Sequence, residues 1–230
     1  MADDAADFPT ADRDLRTRLR DVYWIGGGSG AGKSTVARRL AAQFGLSVYA
    51  TDDVMDEHAR RSTVQDAPQL HAFGAMDMDE RWVSRSPSTM LDSFHWYRGE
   101  AFAPVVDDLL RLPPGARVVA EGFRLLPHLV APLLAHPEHA VWLLPSPEFR
   151  RAALEDRGTL WAVPRRTSDP PRALRNLLER DAMFTDRLRE EAAGLGLAAI
   201  EVDVGRGEDE LTTSVARALG LASRPPGTSP

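Results

Sequence analysis

The chain has no cysteine. Disulfides, thiolate-ligated zinc and a thiol nucleophile are therefore excluded. Apolar runs long enough to cross a bilayer, about 18 residues or more, are also missing. The first residues, MADDAADFPTADRD, are acidic and polar, without the apolar stretch of a secretory signal. The expectation is a cytoplasmic protein with no membrane partner. Surplus positive charge is lacking too, since the formal net charge is −6. A general affinity for nucleic-acid backbone needs an excess of lysine and arginine, so no nucleic-acid partner is expected.

The 230 residues suffice for one sizeable α/β domain. The 28 basic residues are almost all arginine, the side chain suited to bidentate contacts with phosphate or carboxylate. Residues 1–18 read as a disordered acidic tail, 19–221 as the folded domain, and 222–230 (ASRPPGTSP) as a second disordered end. Within the domain, apolar runs alternate with helical patterns. VYWIG (22–26), LSVYA (46–50), ARVVAEG (116–122), HAVWLLP (139–145) and LAAIEVDV (197–204) read as strands. Helices are expected at 33–44, about 125–135, 147–156, 171–194 and 208–219. A long, broken helical insertion is expected over 54–112. Val36, Leu40 and Phe44 share one face of the first helix, which Gly45 ends. Five apolar strands separated by helices imply an α/β fold, a parallel sheet covered on both faces.

GGGSGAGKST (26–35) holds five glycines and then a lysine. Within it, GGSGAGKS fits G-x-x-x-x-G-K-[ST] and lies between a strand and a helix, the context that phosphate binding requires. Glycines let successive N–H groups turn inward around an anion, and the following helix N-terminus favours negative charge. Gly27, Gly28, Ser29, Gly30, Ala31, Gly32, Lys33, Ser34 and Thr35 are thus candidate ligands of a purine nucleoside triphosphate. Lys33 reaches the β- and γ-phosphates, Ser34 ligates Mg²⁺, and Thr35 has a more structural part. Ligands of open parallel sheets bind at the carboxyl ends of strands. Asp52 and Asp53 follow the second strand there, and Glu121 ends the third. Asp52 suits the base that accepts a proton from an attacking hydroxyl, or a metal contact through water; Glu121 suits metal or substrate. Asp53 either faces the acceptor or caps the next helix. Arg124, on the same loop as Glu121, is placed to meet an anionic substrate.

The loop, the TDD after strand two and the EG after strand three resemble the P-loop small-molecule kinases that share the nucleoside-monophosphate-kinase fold. These include the gluconate, shikimate, uridine and 2-phosphoglycerate kinases, chloramphenicol phosphotransferase and the zeta toxins. TDD is similar to the aspartate that polynucleotide kinase and its relatives use as base. VVAEGFRLLP is similar to the strand-Glu-Gly of uridine and 2-phosphoglycerate kinases. The resemblance implies a P-loop NTPase sandwich with strand order 2-3-1-4-5 and a helical lid at about 157–171. It implies ATP and Mg²⁺, a small-molecule substrate, and lid arginines closing on the transferring phosphate. The candidates for that role are Arg157, Arg165 and Arg166, with Arg150 and Arg151 next. Trp161 and several prolines depart from the best-known lids. The resemblance also places the acceptor against the 54–112 insertion, where His95 and Arg98 are candidates, and adenine near Arg206. It does not name the acceptor. A hydroxyl acceptor, a phosphate acceptor as in nucleotide kinases, a nucleic-acid end kinase and a nucleotide-switched interaction protein stay open at this point. Neither D-x-x-G nor N-K-x-D is found where a GTPase carries it. Nothing in the sequence chooses between monomer and homodimer.

Overall fold

The computed structural model describes residues 10–221, with side chains from residue 13 onward. Five strands, β1 (Val22–Gly27), β2 (Ser47–Ala50), β3 (Val118–Glu121), β4 (Ala140–Pro145) and β5 (Ala198–Val202), form one parallel sheet in the order β2-β3-β1-β4-β5. This is the P-loop NTPase α/β fold. The three central strands β1, β3 and β4 are buried along their whole length. Their near-continuous apolar sequence follows from helices lying on both faces. Successive residues alternate between two cores. Trp24, Ala120 and Trp142 enter one, while Tyr23, Ile25, Val119, Val141 and Leu143 enter the other.

The second core is closed by α2 (Lys33–Phe44) and α10 (Glu208–Ala218). Val36 and Leu40 of α2 are fully buried, Phe44 packs at the edge, and Gly45 ends the helix with φ 65°. The first core is closed by α1 (Thr10–Arg18), by part of the insertion, by α7 (Pro127–Val130) and by α9 (Pro170–Gly194). β2 to β5 are one or two residues shorter at one or both ends than the apolar runs suggest, and β1 runs one residue further, through Gly27. The helix expected over 125–135 is the short α7 followed by a 3₁₀ turn over Ala131–Leu133.

The expected tail over 1–18 is corrected for residues 10–18, which are helical. Leu15 packs on the first core and Leu19, just past the helix, is 2% exposed, so two leucines anchor a segment whose composition is otherwise polar. Residues 1–9 and the tail at 222–230 lie outside the described residues. No helix among the described residues is long and apolar enough to cross a membrane.

The insertion comprises α3 (Met55–Arg61), α4 (Pro68–Ala75), α5 (Pro87–Ser93) and α6 (Ala103–Leu110), with a π turn over Glu80–Ser84 and a 3₁₀ turn over His95–Arg98. Trp82, Val83 and Met90 bury themselves against Ala173 of α9, so the insertion is seated on that helix. The lid segment leaves α8 (Pro147–Asp156), turns through a 3₁₀ turn at Pro164–Arg166 and enters α9, capped by the Asp169 carboxylate on the Arg172 N–H.

Gly122 joins β3 to its loop with φ 151°. A Cβ there would stand 1.8 Å from Oγ1 of the fully buried Thr51. Gly122→Ala is expected to destabilise the fold by about 2 kcal/mol or more, as overpacking does. Thr51→Ala in the same chain should recover part of it. Urea unfolding of the single and double variants checks this; an unchanged midpoint in Gly122→Ala would contradict the close approach.

Candidate functional site

The ladder carries the site residues to one end of the sheet. Glu121 is in register with Ile25 on one side and Ala50 on the other. The Thr51 N–H donates to the Glu121 carbonyl at 2.9 Å, and the Gly122 N–H to the Ile25 carbonyl at 3.1 Å. Residues 51–53, 121–123 and the loop after β1 therefore meet at the carboxyl ends of three adjacent strands, as open α/β sheets position their ligands.

In the loop, Gly30 (φ 80°) and Gly32 (φ 83°) take the left-handed conformation that lets a chain curl around an anion. Gly32 also sits at the N-terminus of α2. Lys33 is the chain's only lysine. It is 8% exposed, and its Nζ donates to the Gly28 carbonyl at 2.8 Å, across the mouth of the loop. Burial lowers its pKa to about 8, against the opposing pull of Glu121 and Asp52; Arg150 and Arg157 add to the lowering. Glu121 is 3% exposed, and burial pushes its carboxyl up, countered in part by the Ser34 hydroxyl and the Lys33 charge. Asp52 and Asp53 are exposed, and both add negative field at Glu121. Asp53 caps no helix: α3 starts after Val54 without a side-chain cap.

The donor set suits Mg²⁺ held together with phosphate. Ser34 offers a hydroxyl and Glu121 and Asp52 offer carboxylates, and hard oxygen donors of this number leave room for water and phosphate oxygens. Among the described residues no cluster of three or more His or carboxylate groups could hold a metal by itself.

Two cavities flank the loop. One, of about 430 Å³, lies between Gly30, Gly32 and Thr35, the outer face of α8 with Arg157, and Arg206 with Val204. Arg206 is braced there, donating to the Glu201 carbonyl at 2.7 Å and Ser214 Oγ at 3.3 Å, with Glu210 at 3.3 Å. The other, of about 310 Å³, lies against Ser29 and Phe123, between the insertion, the lid and α9. Arg157, Arg165 and Arg166 are exposed, with no side-chain partner among the described residues.

Three expected substrate contacts stand elsewhere. Arg124 is 2% exposed and does not face ligand space. It donates to the carbonyls of Thr51 and Ala101 at 3.3 and 2.7 Å and to His58 Nδ1 at 3.1 Å, lies 4.3 Å over the Trp96 ring, and is lowered by burial to about 10. Because His58 Nδ1 accepts from Arg124, its Nε2 donates to Asp108, and Tyr49 donates to that same carboxylate oxygen. Arg124 thus fastens the insertion to the sheet. His95 is 3% exposed among Phe73, Phe94 and Trp96, and burial drops its pKa to about 3, so it is neutral and lines neither cavity. Arg98 is exposed and its guanidinium is tied to the Asp92 carbonyl at 2.9 Å.

The sequence reading missed Arg180 and Asp181 of α9. Asp181 is 1% exposed; its Oδ1 accepts from Arg180 Nε and Nη2 at 2.8 and 2.6 Å and from the Tyr97 hydroxyl at 3.0 Å, and its Oδ2 pairs with Arg150 Nη2. Arg150 Nη1 donates to the Ser29 carbonyl at 2.7 Å. One carboxylate therefore connects the phosphate loop, α8, α9 and the insertion. The signal was present: Asp181 falls in helical register with Leu177, Phe184 and Leu188, a charge on an apolar stripe.

A family model described as an AAA domain, AAA_17, matches residues 26–90, from the loop into α5. That model describes a P-loop NTPase family which includes small-molecule kinases. No curated protein matches the chain. Among solved structures, an uncharacterized protein from Eubacterium ventriosum aligns at 14% identity over 89% of this chain and 99% of its own, with a TM-score of 0.38. Together the loop and its fold make this a P-loop nucleotide-binding domain.

Proposed function

We propose that this protein is an ATP- and Mg²⁺-dependent phosphotransferase that moves the γ-phosphate to a hydroxyl of a small molecule. The observation that carries the reading is the pairing of cavities on either side of one phosphate loop. The cavity beside Arg206 suits the nucleoside, and the cavity beside Ser29 suits an acceptor. A switch protein that only hydrolyses nucleotide has no use for the second.

In this reading the loop N–H groups and Lys33 hold the triphosphate; Ser34 would hold the ion, with Glu121 behind it through water, and the ion would offset charge on the phosphates. Asp52 takes the acceptor's proton as its oxygen bonds to the γ-phosphorus and the bond to the β-phosphate oxygen breaks, leaving ADP. Arg157, Arg165 and Arg166, uncommitted in the described structure, close over the phosphoryl oxygens and exclude water. The acceptor is the protein's small-molecule partner.

The test is transfer of labelled γ-phosphate from Mg·ATP to a panel of sugars, sugar acids, nucleosides, nucleoside monophosphates, aromatic alcohols and hydroxylated antibiotics. Asp52→Asn should lower kcat by about 10² to 10⁴, as loss of a general base does, with KM for ATP within about twofold. Phosphate release that no panel member accelerates or intercepts would overturn the kinase reading. Transfer that survives Asp52→Asn would remove Asp52 as base and leave Glu121.

A further inference from the structure

The cavity beside Ser29 has walls of two kinds. Trp82, Phe94, Tyr97 and Phe123 supply aromatic surface, and the lid turn adds Leu160 and Val163. Few polar groups interrupt them, so a polyhydroxylated sugar would find few partners for its hydroxyls there. A flat apolar ring loses nothing and gains stacking and burial.

The polar groups that do line the cavity carry a definite charge. Asp181 is its only acid, and Arg150 and Arg180 are its two cations. Both guanidiniums are about 5% exposed, so the imbalance of one positive charge is buried. Two nitrogens of Arg180, Nε and Nη2, go to Asp181 Oδ1, and the guanidinium also bonds the Tyr97 hydroxyl; Nη1 has no carboxylate or carbonyl partner among the described residues. The guanidinium lies 4.7 Å from the Phe94 ring centroid, 5.0 Å from Trp82 and 5.2 Å from Tyr97, within cation–π range of all three. A buried cation that only partly shares one carboxylate is a ready partner for one further anion. It matches a monoanion better than a phosphate dianion, which would reverse the imbalance.

Resting on the kinase reading above, we infer that the acceptor is a small aromatic hydroxy acid whose carboxylate meets Arg180 while its ring lies among Trp82, Phe94 and Phe123. Its hydroxyl then points toward Ser29 and the phosphate loop. Arg150 and Asp181 are positioning residues: they fix Arg180 and couple it to the loop through the Ser29 carbonyl.

The test uses three matched probes on the full chain with Mg²⁺ and a non-hydrolysable ATP analogue. They are 4-(hydroxymethyl)benzoate, its carboxamide, and 4-(hydroxymethyl)benzyl phosphate. Calorimetry should show the carboxylate binding about tenfold tighter than the carboxamide and tighter than the phosphate. Arg180→Gln should bring carboxylate and carboxamide to within about twofold. Ala162→Trp, which fills the cavity from the lid without touching the ion pairs, should abolish binding of all three while the nucleotide analogue still binds. Should Arg180→Gln fail to fold, the wild-type ranking and Ala162→Trp decide. Equal binding of carboxylate and carboxamide, tighter binding of the phosphate, or a preference that survives Arg180→Gln overturns the inference. Labelled transfer to the panel is read separately: transfer to a neutral or dianionic acceptor alone leaves a kinase with a different acceptor, and carboxylate binding without any transfer leaves the pocket and removes the kinase.

Discussion

Lys33→Met is expected to abolish nucleotide binding and yet leave a nucleotide-free protein that unfolds at a higher temperature than the wild type. The two effects have one cause. Lys33 is held 8% exposed at the mouth of the loop, where burial brings its pKa to about 8. The distance from the ordinary 10.5 corresponds to about 3 kcal/mol by which the folded state disfavours the ammonium. Methionine has similar length and no charge, so it removes that penalty, less what the Gly28 carbonyl and Glu121 return. A net gain of about 1 to 2 kcal/mol, or several degrees in melting midpoint, follows. Transfer activity should fall by at least about 10³-fold, because no other lysine exists in the chain to take the role. A Lys33→Met protein that melts lower than wild type would show that the loop needs the ammonium for its own structure.

The sign of the pH dependence follows from the same group. The folded pKa lies below the unfolded one, so between about pH 8 and 10.5 the unfolded chain binds more protons, and this group's contribution to stability rises with pH across that window. Nucleotide binding works in the opposite direction. Triphosphate favours the ammonium, so ATP binding at pH 8 should take up a fraction of a proton, and at pH 6.5 almost none. Calorimetry in two buffers of different ionisation enthalpy reads this directly. Because the chain has a single lysine, reductive ¹³C-methylation yields one side-chain resonance whose titration gives the pKa without assignment, apart from the α-amino group.

The sequence showed the loop, the five apolar strands and the carboxylates at the strand ends because each is local; the strand order came only from the resemblance to the P-loop kinases. Five glycines and a lysine between a strand and a helix have few other uses, Glu121 ends its strand, and Asp52 follows its own by two residues. Side-chain direction in the insertion was not legible. Arg124 sits one residue past a phenylalanine on the site loop and looked available, but His58, Ala101 and Thr51 converge on it from segments 23 to 73 residues away. His95 and Arg98 share a helical spacing that suggested one surface; the 3₁₀ turn of His95–Arg98 instead buries His95 among rings and sends Arg98 outward. Residues 10–18 were lost to composition, since two apolar anchors cannot be weighed against their polar neighbours without knowing what they touch. Arg180 and Asp181 lie within a long amphipathic helix, where the apolar stripe of Leu177, Phe184 and Leu188 is the one local mark that Asp181 turns inward.

That pair has the largest structural effect expected of any single substitution. Asp181→Ala should cost about 3 to 5 kcal/mol, the range for removing one partner from a buried ion network. Both guanidiniums that remain are about 5% exposed and neither has another carboxylate. For a domain of this size the loss corresponds to a fall of roughly 10 °C in melting midpoint. Asp181→Asn retains the shape and one acceptor oxygen, so it should lose less in stability. Its deficit should appear instead in function, because Tyr97 and Arg180 would no longer be fixed against the cavity. If Arg150 and Arg180 are the source of the cost, Arg180→Met in the Asp181→Ala background should return part of the lost stability, since an uncompensated buried charge is replaced by an apolar side chain of similar length. It should return none of the transfer activity. A double variant that melts no higher than Asp181→Ala alone would mean that the cost lies in the Tyr97 hydrogen bond and the Arg150 bridge to Ser29, and that the loop, more than the cavity, depends on this carboxylate.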